Sequence, residues 1–178
     1  KYTLQGDCAH DVGYISEYKA LYDDFLVTGG LDGTIKIWNL KTLQCTGIIP
    51  NGSSGLIREA KFSPDGKLIV IAANDVTIWY VKQGTFENVL ADKGVVATSI
   101  AFSPSGKFFA VGFENGLLIL YKYENGKFSS VFEGKVFDGM ITNLQFEKNE
   151  TFVLISETKT VIKMLNIRSK ELIEINCN

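Results

Sequence analysis

Residues 28–38 read Thr28-Gly29-Gly30-Leu31-Asp32-Gly33-Thr34-Ile35-Lys36-Ile37-Trp38, two strand-like runs that meet at an Asp-Gly dipeptide. The run before the dipeptide is apolar from Phe25 onward, and the run after it is β-branched and alternates in polarity. Asp-Gly between two such runs is a strong hairpin signal, because the turn needs a positive φ that glycine adopts without a Cβ clash. This stretch therefore predicts an antiparallel β-hairpin.

Weaker copies of this hairpin recur along the chain. Each copy begins with an apolar triad, whose first members, at spacings of 42, 40 and 44 residues, are Ile15, Ile57, Ala97 and Ile141. The third strand of each copy ends on a large residue, at spacings of 41, 42 and 44: Trp38, Trp79, Tyr121 and Leu165. No segment has the helical period. Since a lone four-stranded sheet cannot bury two apolar faces, we expect these units to stack as blades.

At these residues the sequence resembles the WD40-repeat family of β-propellers, over essentially the whole chain. The resemblance implies an all-β fold with four consecutive four-stranded antiparallel blades at 10–50, 51–91, 92–133 and 134–178. Residues 1–6 are expected to be the outer strand of a preceding blade. Propellers of this family usually have seven blades, which need roughly 300 residues in total. The chain is therefore expected to be part of a larger ring, with the missing blades of the same protein among its partners.

The resemblance also implies a structural role for four polar residues of the first blade. In the family, a histidine, a serine or threonine, an aspartate and a tryptophan form a hydrogen-bonded tetrad, and the matching residues here are His10, Thr28, Asp32 and Trp38. Asn39 replaces the aspartate that usually follows the tryptophan. The later units lack the histidine, so their blades are expected to rely on packing alone.

The composition disfavours catalysis and most small ligands. His10 is the only histidine, and no cysteine or carboxylate cluster lies near it at ligand spacing, so neither a metal site nor a Ser-His-Asp triad is predicted. We predict no cofactor. A net charge of −2 with two arginines disfavours nucleic acid. The apolar runs are far shorter than the roughly 20 residues that span a bilayer, so no membrane is expected. Three scattered cysteines are typical of an intracellular protein, cytoplasmic or nuclear.

What remains is the surface that the family resemblance assigns to partners. In WD40 propellers, the loops that enter the first strand and join the second strand to the third form the top face. The matching residues here are Tyr14, Arg58, Val96, Phe113, Asn115, Phe137 and Met140. Aromatic residues, methionine and arginine are enriched at interface cores, although several of these side chains have blade packing as their alternative role.

The sequence thus predicts a non-catalytic WD40 scaffold that binds proteins or peptides through its top face, inside an intracellular multiprotein complex. Two alternatives stay open. One is the substrate-recruiting propeller of a ubiquitin ligase, because residues 62–83 resemble part of the propeller of the spliceosomal U-box ubiquitin ligase. The other is a propeller domain of an enzyme whose catalytic part lies outside these residues.

Overall fold

The chain is all β in the part that the computed structural model describes, which comprises residues 12–19, 24–30, 33–50, 56–90, 94–157 and 161–176. The first eight strands are β1 (Val12–Lys19), β2 (Asp24–Gly30), β3 (Thr34–Asn39), β4 (Gln44–Pro50), β5 (Glu59–Phe62), β6 (Leu68–Ala72), β7 (Val76–Tyr80) and β8 (Thr85–Leu90). The next eight are β9 (Ala97–Phe102), β10 (Phe108–Phe113), β11 (Leu117–Glu124), β12 (Lys127–Lys135), β13 (Asn143–Phe146), β14 (Phe152–Ser156), β15 (Val161–Asn166) and β16 (Leu172–Asn176).

These strands form four antiparallel sheets, each made of four strands that follow one another in the chain. We call them blade 1 (β1–β4), blade 2 (β5–β8), blade 3 (β9–β12) and blade 4 (β13–β16). The prediction of an all-β fold with four consecutive four-stranded antiparallel blades is confirmed. The exact domain boundaries and the larger ring stay predictions, and the strand predicted at 1–6 lies outside the described residues.

The chain divides into two compact units, Lys1–Gly94 and Val95–Asn178. In the first unit, an apolar cluster joins blade 1 to blade 2 and includes Val27, Ile35, Ile57, Ile69 and Ile71. In the second unit, a larger cluster joins blade 3 to blade 4 and includes Leu118, Leu120, Ile141, Val153 and Leu165. Ile57 and Ile141 belong to the apolar triads that open the repeats, so within each unit the start of one blade is buried against the blade before it.

Polar contacts reinforce the packing of blade 4 on blade 3. The Thr98 hydroxyl, on the first strand of blade 3, donates to the carbonyl of Ile141 at 2.7 Å. The amide of Ile141 donates to the carbonyl of Phe113 at 3.1 Å. Both groups of the buried Ile141 backbone are therefore paired, as a buried peptide requires.

Blade 3 places an aromatic stack where blade 1 has its tryptophan. Phe109 and Tyr121 are paired across β10 and β11, and their rings are stacked with centroids 4.7 Å apart. Burial raises the pKa of Tyr121, and the negative charge of Glu133 adds to that increase. The phenol is therefore neutral at physiological pH, and its role is packing rather than proton transfer.

Candidate functional site: a loop rim on the second unit

Two members of the predicted tetrad are in direct contact. The indole Nε1–H of Trp38 donates to the Thr28 hydroxyl oxygen at 2.9 Å, and both side chains are buried. Asn39 begins the next turn, because its Oδ1 accepts from the amides of Lys41 (2.9 Å) and Thr42 (3.1 Å). His10 and Asp32 lie outside the described residues, so the complete tetrad stays a prediction.

The predicted partner residues divide between the two units. In the first unit, Tyr14 is paired with Gly29 in the β1–β2 ladder, and its side chain lies outside what the structure describes. Arg58 is exposed just before β5, where its amide donates to the carbonyl of Ala72 at 2.8 Å. The other five lie in the second unit: Val96, Phe113, Asn115, Phe137 and Met140.

These five lie in or beside three segments, 95–96, 114–116 and 136–142, which we call the rim site. Backbone hydrogen bonds join the segments. The amide of Glu114 donates to the carbonyl of Val96 at 3.0 Å, and the carbonyl of Gly116 accepts from the amides of Val136 (2.8 Å) and Phe137 (3.4 Å). The structure thus brings the predicted loops of the second unit together. Their contact with a partner stays a prediction.

Gly116 allows the backbone of the 136–142 loop to pack directly against the 114–116 turn. Its φ is +79°, and a Cβ built on it would lie 1.9 Å from the carbonyl oxygen of Phe137. Asn115 supports the same turn, since its Oδ1 accepts from the amide of Leu117 at 3.1 Å. The Asn-Gly pair therefore fixes the position of the 136–142 loop, a position that a larger residue than glycine would prevent.

Burial divides the five side chains into two groups. Phe113 and Phe137 are only 2% and 7% exposed, so their rings are part of the packing. Asn115 is exposed, and Met140 is exposed by 48%, a large value for an apolar side chain. Val96 is intermediate. Of the five predicted residues, Met140 and Asn115 are thus the ones whose side chains are exposed to another molecule.

Lys163, which is not among the residues predicted from the sequence, contacts the 136–142 segment of the rim site. Its ammonium donates to the carbonyl of Val136 at 2.8 Å, lies 4.6 Å from the centroid of the Phe137 ring and is 3.4 Å from the Glu174 carboxylate. A lysine on a strand usually indicates a solvated face, so the sequence held no signal for this role. The adjacent cavity of about 400 Å³ is lined by Lys135, Val136, Phe137, Asp138, Glu157, Val161, Lys163 and Glu174.

The first unit has a second concavity, of about 540 Å³, between blade 1 and blade 2. Its lining includes the apolar side chains of Phe25, Ile37, Phe62 and Trp79. The carboxylate of Asp65 at its edge accepts from the Ser63 hydroxyl and the Lys67 amide. Burial opposes the charge of Asp65, but these hydrogen bonds and the Lys67 charge together hold its pKa below the usual value. Its carboxylate is thus engaged within its own turn.

Metal-ligating side chains do not cluster among the described residues. These residues contain no group of three or more His, Cys, Asp or Glu that could hold a metal ion. The described part of the chain also has no helix long and apolar enough to cross a membrane. The geometry of the rim site, with rigid loops and exposed polar and apolar side chains, is suited to binding another macromolecule.

Comparison with known proteins gives two matches to family profiles. Residues 19–39 match the family described as WD domain, G-beta repeat, and residues 82–136 match the anaphase-promoting complex subunit 4 WD40 domain. Residues 19–39 include β2 and β3 of blade 1. The profiles thus match parts of both units.

Curated relatives align with most of this chain. Eukaryotic translation initiation factor 3 subunit I of Neosartorya fischeri is 23% identical over 163 aligned positions, covering 81% of this chain and 47% of the relative. The same subunit of Kluyveromyces lactis is 25% identical (84% and 48%), and that of Candida glabrata is 25% identical (94% and 52%). The chain spans about half the length of the curated relatives it matches. These relatives lend no support to the U-box resemblance.

Proposed function

We propose that this chain, which forms four blades and matches WD40 profiles in parts of both units, is a non-catalytic scaffold that binds other proteins within a multiprotein complex. The relatives are named as subunits of a translation initiation factor, so such a factor is the first complex to consider. A subunit of that factor works where translation takes place, which favours the cytoplasm over the nucleus.

The rim site is the observation that carries this proposal. Its loops are held by hydrogen bonds between backbone groups and by the ammonium of Lys163, so few residues need to be ordered when a partner binds. Rigid presentation lowers the entropic cost of association. Met140 supplies exposed apolar surface, and Asn115 supplies an amide beside it. A largely exposed methionine next to polar groups is typical of a protein contact rather than of a catalytic centre.

Blade 4 supports the proposal that the protein contains further blades. On one face of its sheet, register aligns Leu154 with Met164 and Met164 with Ile173, and it aligns Ile162 with Ile175. All five side chains are partly or largely exposed. A contiguous apolar sheet face of this kind is normally covered in a folded protein. A further blade of the same protein would cover it, which agrees with relatives about twice as long.

Two alternative functions remain, and both depend on domains that would lie outside these residues. A ubiquitin-ligase propeller would require a U-box or a similar module elsewhere in the protein. An enzyme would require a catalytic domain outside these residues. The full-length sequence distinguishes both from a scaffold. We place the scaffold first because the relatives are named as subunits of a complex.

The proposal is tested with the full-length protein and the other purified subunits of translation initiation factor 3 from the same organism. Met140→Ala and Asn115→Ala are compared by biolayer interferometry with Phe86→Ala, which removes an equally exposed apolar side chain from β8. Loss of a central contact residue commonly costs at least ~1.4 kcal/mol, so the rim variants are expected to weaken binding about tenfold or more. The Phe86 variant should bind normally.

The possible failures have different meanings. Full binding by both rim variants would exclude the rim site as the interface and leave the scaffold role intact. No association of the unmodified protein with any subunit of the factor would exclude that complex.

A further inference from the structure

Two turns of the chain have nearly the same sequence and the same hydrogen bonds. They join β5 to β6 and β9 to β10, and they read Ser63-Pro64-Asp65-Gly66-Lys67 and Ser103-Pro104-Ser105-Gly106-Lys107. In each turn, the first serine donates its amide across the turn (2.8 and 2.9 Å), and its hydroxyl accepts the amide five residues later (3.0 and 3.1 Å). The two turns therefore differ chiefly at one position, which is Asp65 in blade 2 and Ser105 in blade 3.

Both oxygens of the Asp65 carboxylate interact with groups of its own turn. The carboxylate accepts from the Ser63 hydroxyl at 2.6 Å and from the Lys67 amide at 3.1 Å. Its second oxygen is 3.0 Å from the Lys67 ammonium. This turn therefore accepts an anionic group at its third position and surrounds it with a hydroxyl, an amide and a cation.

Ser105 has the same neighbours but no charge of its own. Its hydroxyl lies 3.4 Å from that of Ser103 and accepts from the amide of Lys107 at 3.2 Å. The carboxylate comes instead from the next blade. Glu150, in the β13–β14 turn, accepts the Ser105 hydroxyl at 2.8 Å through Oε2 and the Ser105 amide through Oε1. The two residues form a clasp between blade 3 and blade 4.

We propose that Ser105 is a phosphorylation site and that its phosphate opens the clasp with Glu150. The phosphoryl donor is ATP, used by a protein kinase. The Ser105 oxygen attacks the γ-phosphorus, the bond from that phosphorus to the oxygen of ADP breaks, and the hydroxyl proton is released. Ser105 is exposed on its turn, and Lys107 lies two residues after it. The hydroxyl is therefore accessible to an enzyme.

The geometry gives the phosphate two effects. It would find the surroundings that Asp65 has in blade 2, namely a serine hydroxyl and a lysine amide, with a lysine ammonium in reach, so the β9–β10 turn can hold it. The same phosphate would carry close to two negative charges beside the Glu150 carboxylate and remove the hydroxyl that Glu150 accepts. Repulsion and the lost donor both separate blade 4 from blade 3 at this edge.

The structural effect is measured on the full-length protein with phosphoserine genetically encoded at position 105. The readout is the protection factor of the residue-105 amide in hydrogen exchange, which corrects for intrinsic rates. Phosphorylation is expected to lower this protection on the order of tenfold, the scale of a hydrogen bond to a charged acceptor. In Glu150→Gln, which retains an oxygen acceptor without the charge, the phosphate should have little effect. Unchanged protection in the phosphorylated protein would overturn the proposal.

A matched pair of substitutions gives a second measure of the clasp. Ser105→Asp introduces the residue of blade 2 and brings a negative charge to Glu150, whereas Ser105→Asn keeps an N–H donor of similar size. The Asp variant is expected to lose protection and the Asn variant to keep most of it. Equal protection in the two variants would mean that charge does not control the clasp.

The modification itself is tested by incubating the protein with an extract of its own cells and ATP labelled at the γ-phosphate. Peptide mapping should place label on Ser105, and Ser105→Ala should remove it. Ser129→Ala, which removes another exposed serine on β12, should leave it unchanged. A peptide containing Ser105 that carries no label in the unmodified protein would overturn the assignment.

Discussion

Replacement of Gly116 by alanine tests whether the Asn-Gly turn fixes the rim site. Gly116 has a φ of +79°, and Gly126, in the next hairpin of the same sheet, has a φ of +77°. A Cβ on Gly126 would meet nothing within 4 Å. Gly126→Ala therefore isolates the cost of positive φ for an L side chain, which is about 1 kcal/mol. Any further decrease in the free energy of unfolding of Gly116→Ala is the cost of the clash between its Cβ and the 136–142 loop.

The additional loss can be worked out from the contacts. The Cβ of residue 116 would lie 1.9 Å from the carbonyl oxygen of Phe137 and 2.9 Å from that of Gly139. Both neighbours are backbone, so the loop must move by more than 1 Å to reach a normal separation. Forced repacking of this kind costs about 1–3 kcal/mol, and the movement breaks the 2.8 Å bond from Val136. We expect Gly116→Ala to lower the free energy of unfolding by about 3–5 kcal/mol in total.

The assay is urea unfolding of the full-length variants at one temperature, with rim-site binding measured beside it. Gly116→Ala should unfold at clearly lower urea than Gly126→Ala, and only Gly116→Ala should weaken partner binding. Equal destabilisation of the two variants would refute this reasoning, because the whole loss of stability would then come from the positive φ and none from a clash with the 136–142 loop. Normal binding by a strongly destabilised Gly116→Ala would show that the loop position does not matter for the partner.

Two further predictions concern the first unit. Trp38→Ala removes a buried aromatic side chain and should lower the free energy of unfolding by about 3–5 kcal/mol. Thr28→Val removes only the hydrogen bond and should lower it by about 1 kcal/mol. An unchanged melting temperature for Trp38→Ala would show the tetrad assignment to be wrong. The lowered pKa of Asp65 means that its carboxylate stabilises the fold above its unfolded pKa, near 4, and that this stability is lost as the pH falls through the lower folded pKa. Asp65→Asn should therefore be less stable than the unmodified protein in urea at pH 6, and the difference should become smaller as the pH falls below 4; a difference that does not change with pH would contradict the assignment.

The strands were readable from the sequence because their signals are local. Apolar runs bounded by turn residues predict second strands at Phe25–Gly29, Leu68–Ala72, Phe108–Phe113 and Phe152–Ser156. The strands β6, β10 and β14 have these bounds, and β2 extends one residue further at each end. The fourth strands were harder to delimit. The sequence suggests an end near Phe132 in blade 3, whereas β12 extends to Lys135. Such outer strands are polar and exposed, so pairing with the neighbouring strand, rather than composition, decides where they end.

The rim site was only partly readable, for a different reason. The family resemblance selects loop positions, but residue type does not tell whether a side chain points into the blade or into solvent. Phe113 and Met140 belong to the same class of interface-prone residues, yet one is buried and the other is half exposed. The role of Lys163 depends on a carbonyl 27 positions earlier in the chain, a distance that no local pattern spans.

The register of the sheets explains how the later blades are built without the hydroxyl of blade 1. Trp38 is paired with Leu26, and the Thr28 hydroxyl that it contacts lies two residues further along β2. The corresponding positions in blades 2, 3 and 4 are Ile71, Val111 and Ile155, all without a donor or acceptor on the side chain.

This difference follows the polarity and burial of the large residue on the third strand. Trp38 is 6% exposed, so its indole N–H needs a protein partner, and Thr28 supplies one. Trp79 is only partly buried, so water can reach it, and Leu165 has no polar atom to satisfy. Tyr121 stacks on Phe109 instead. The Thr28 hydroxyl thus satisfies a buried indole N–H in blade 1, a need that the partly buried Trp79 of blade 2 and the apolar Leu165 of blade 4 do not have.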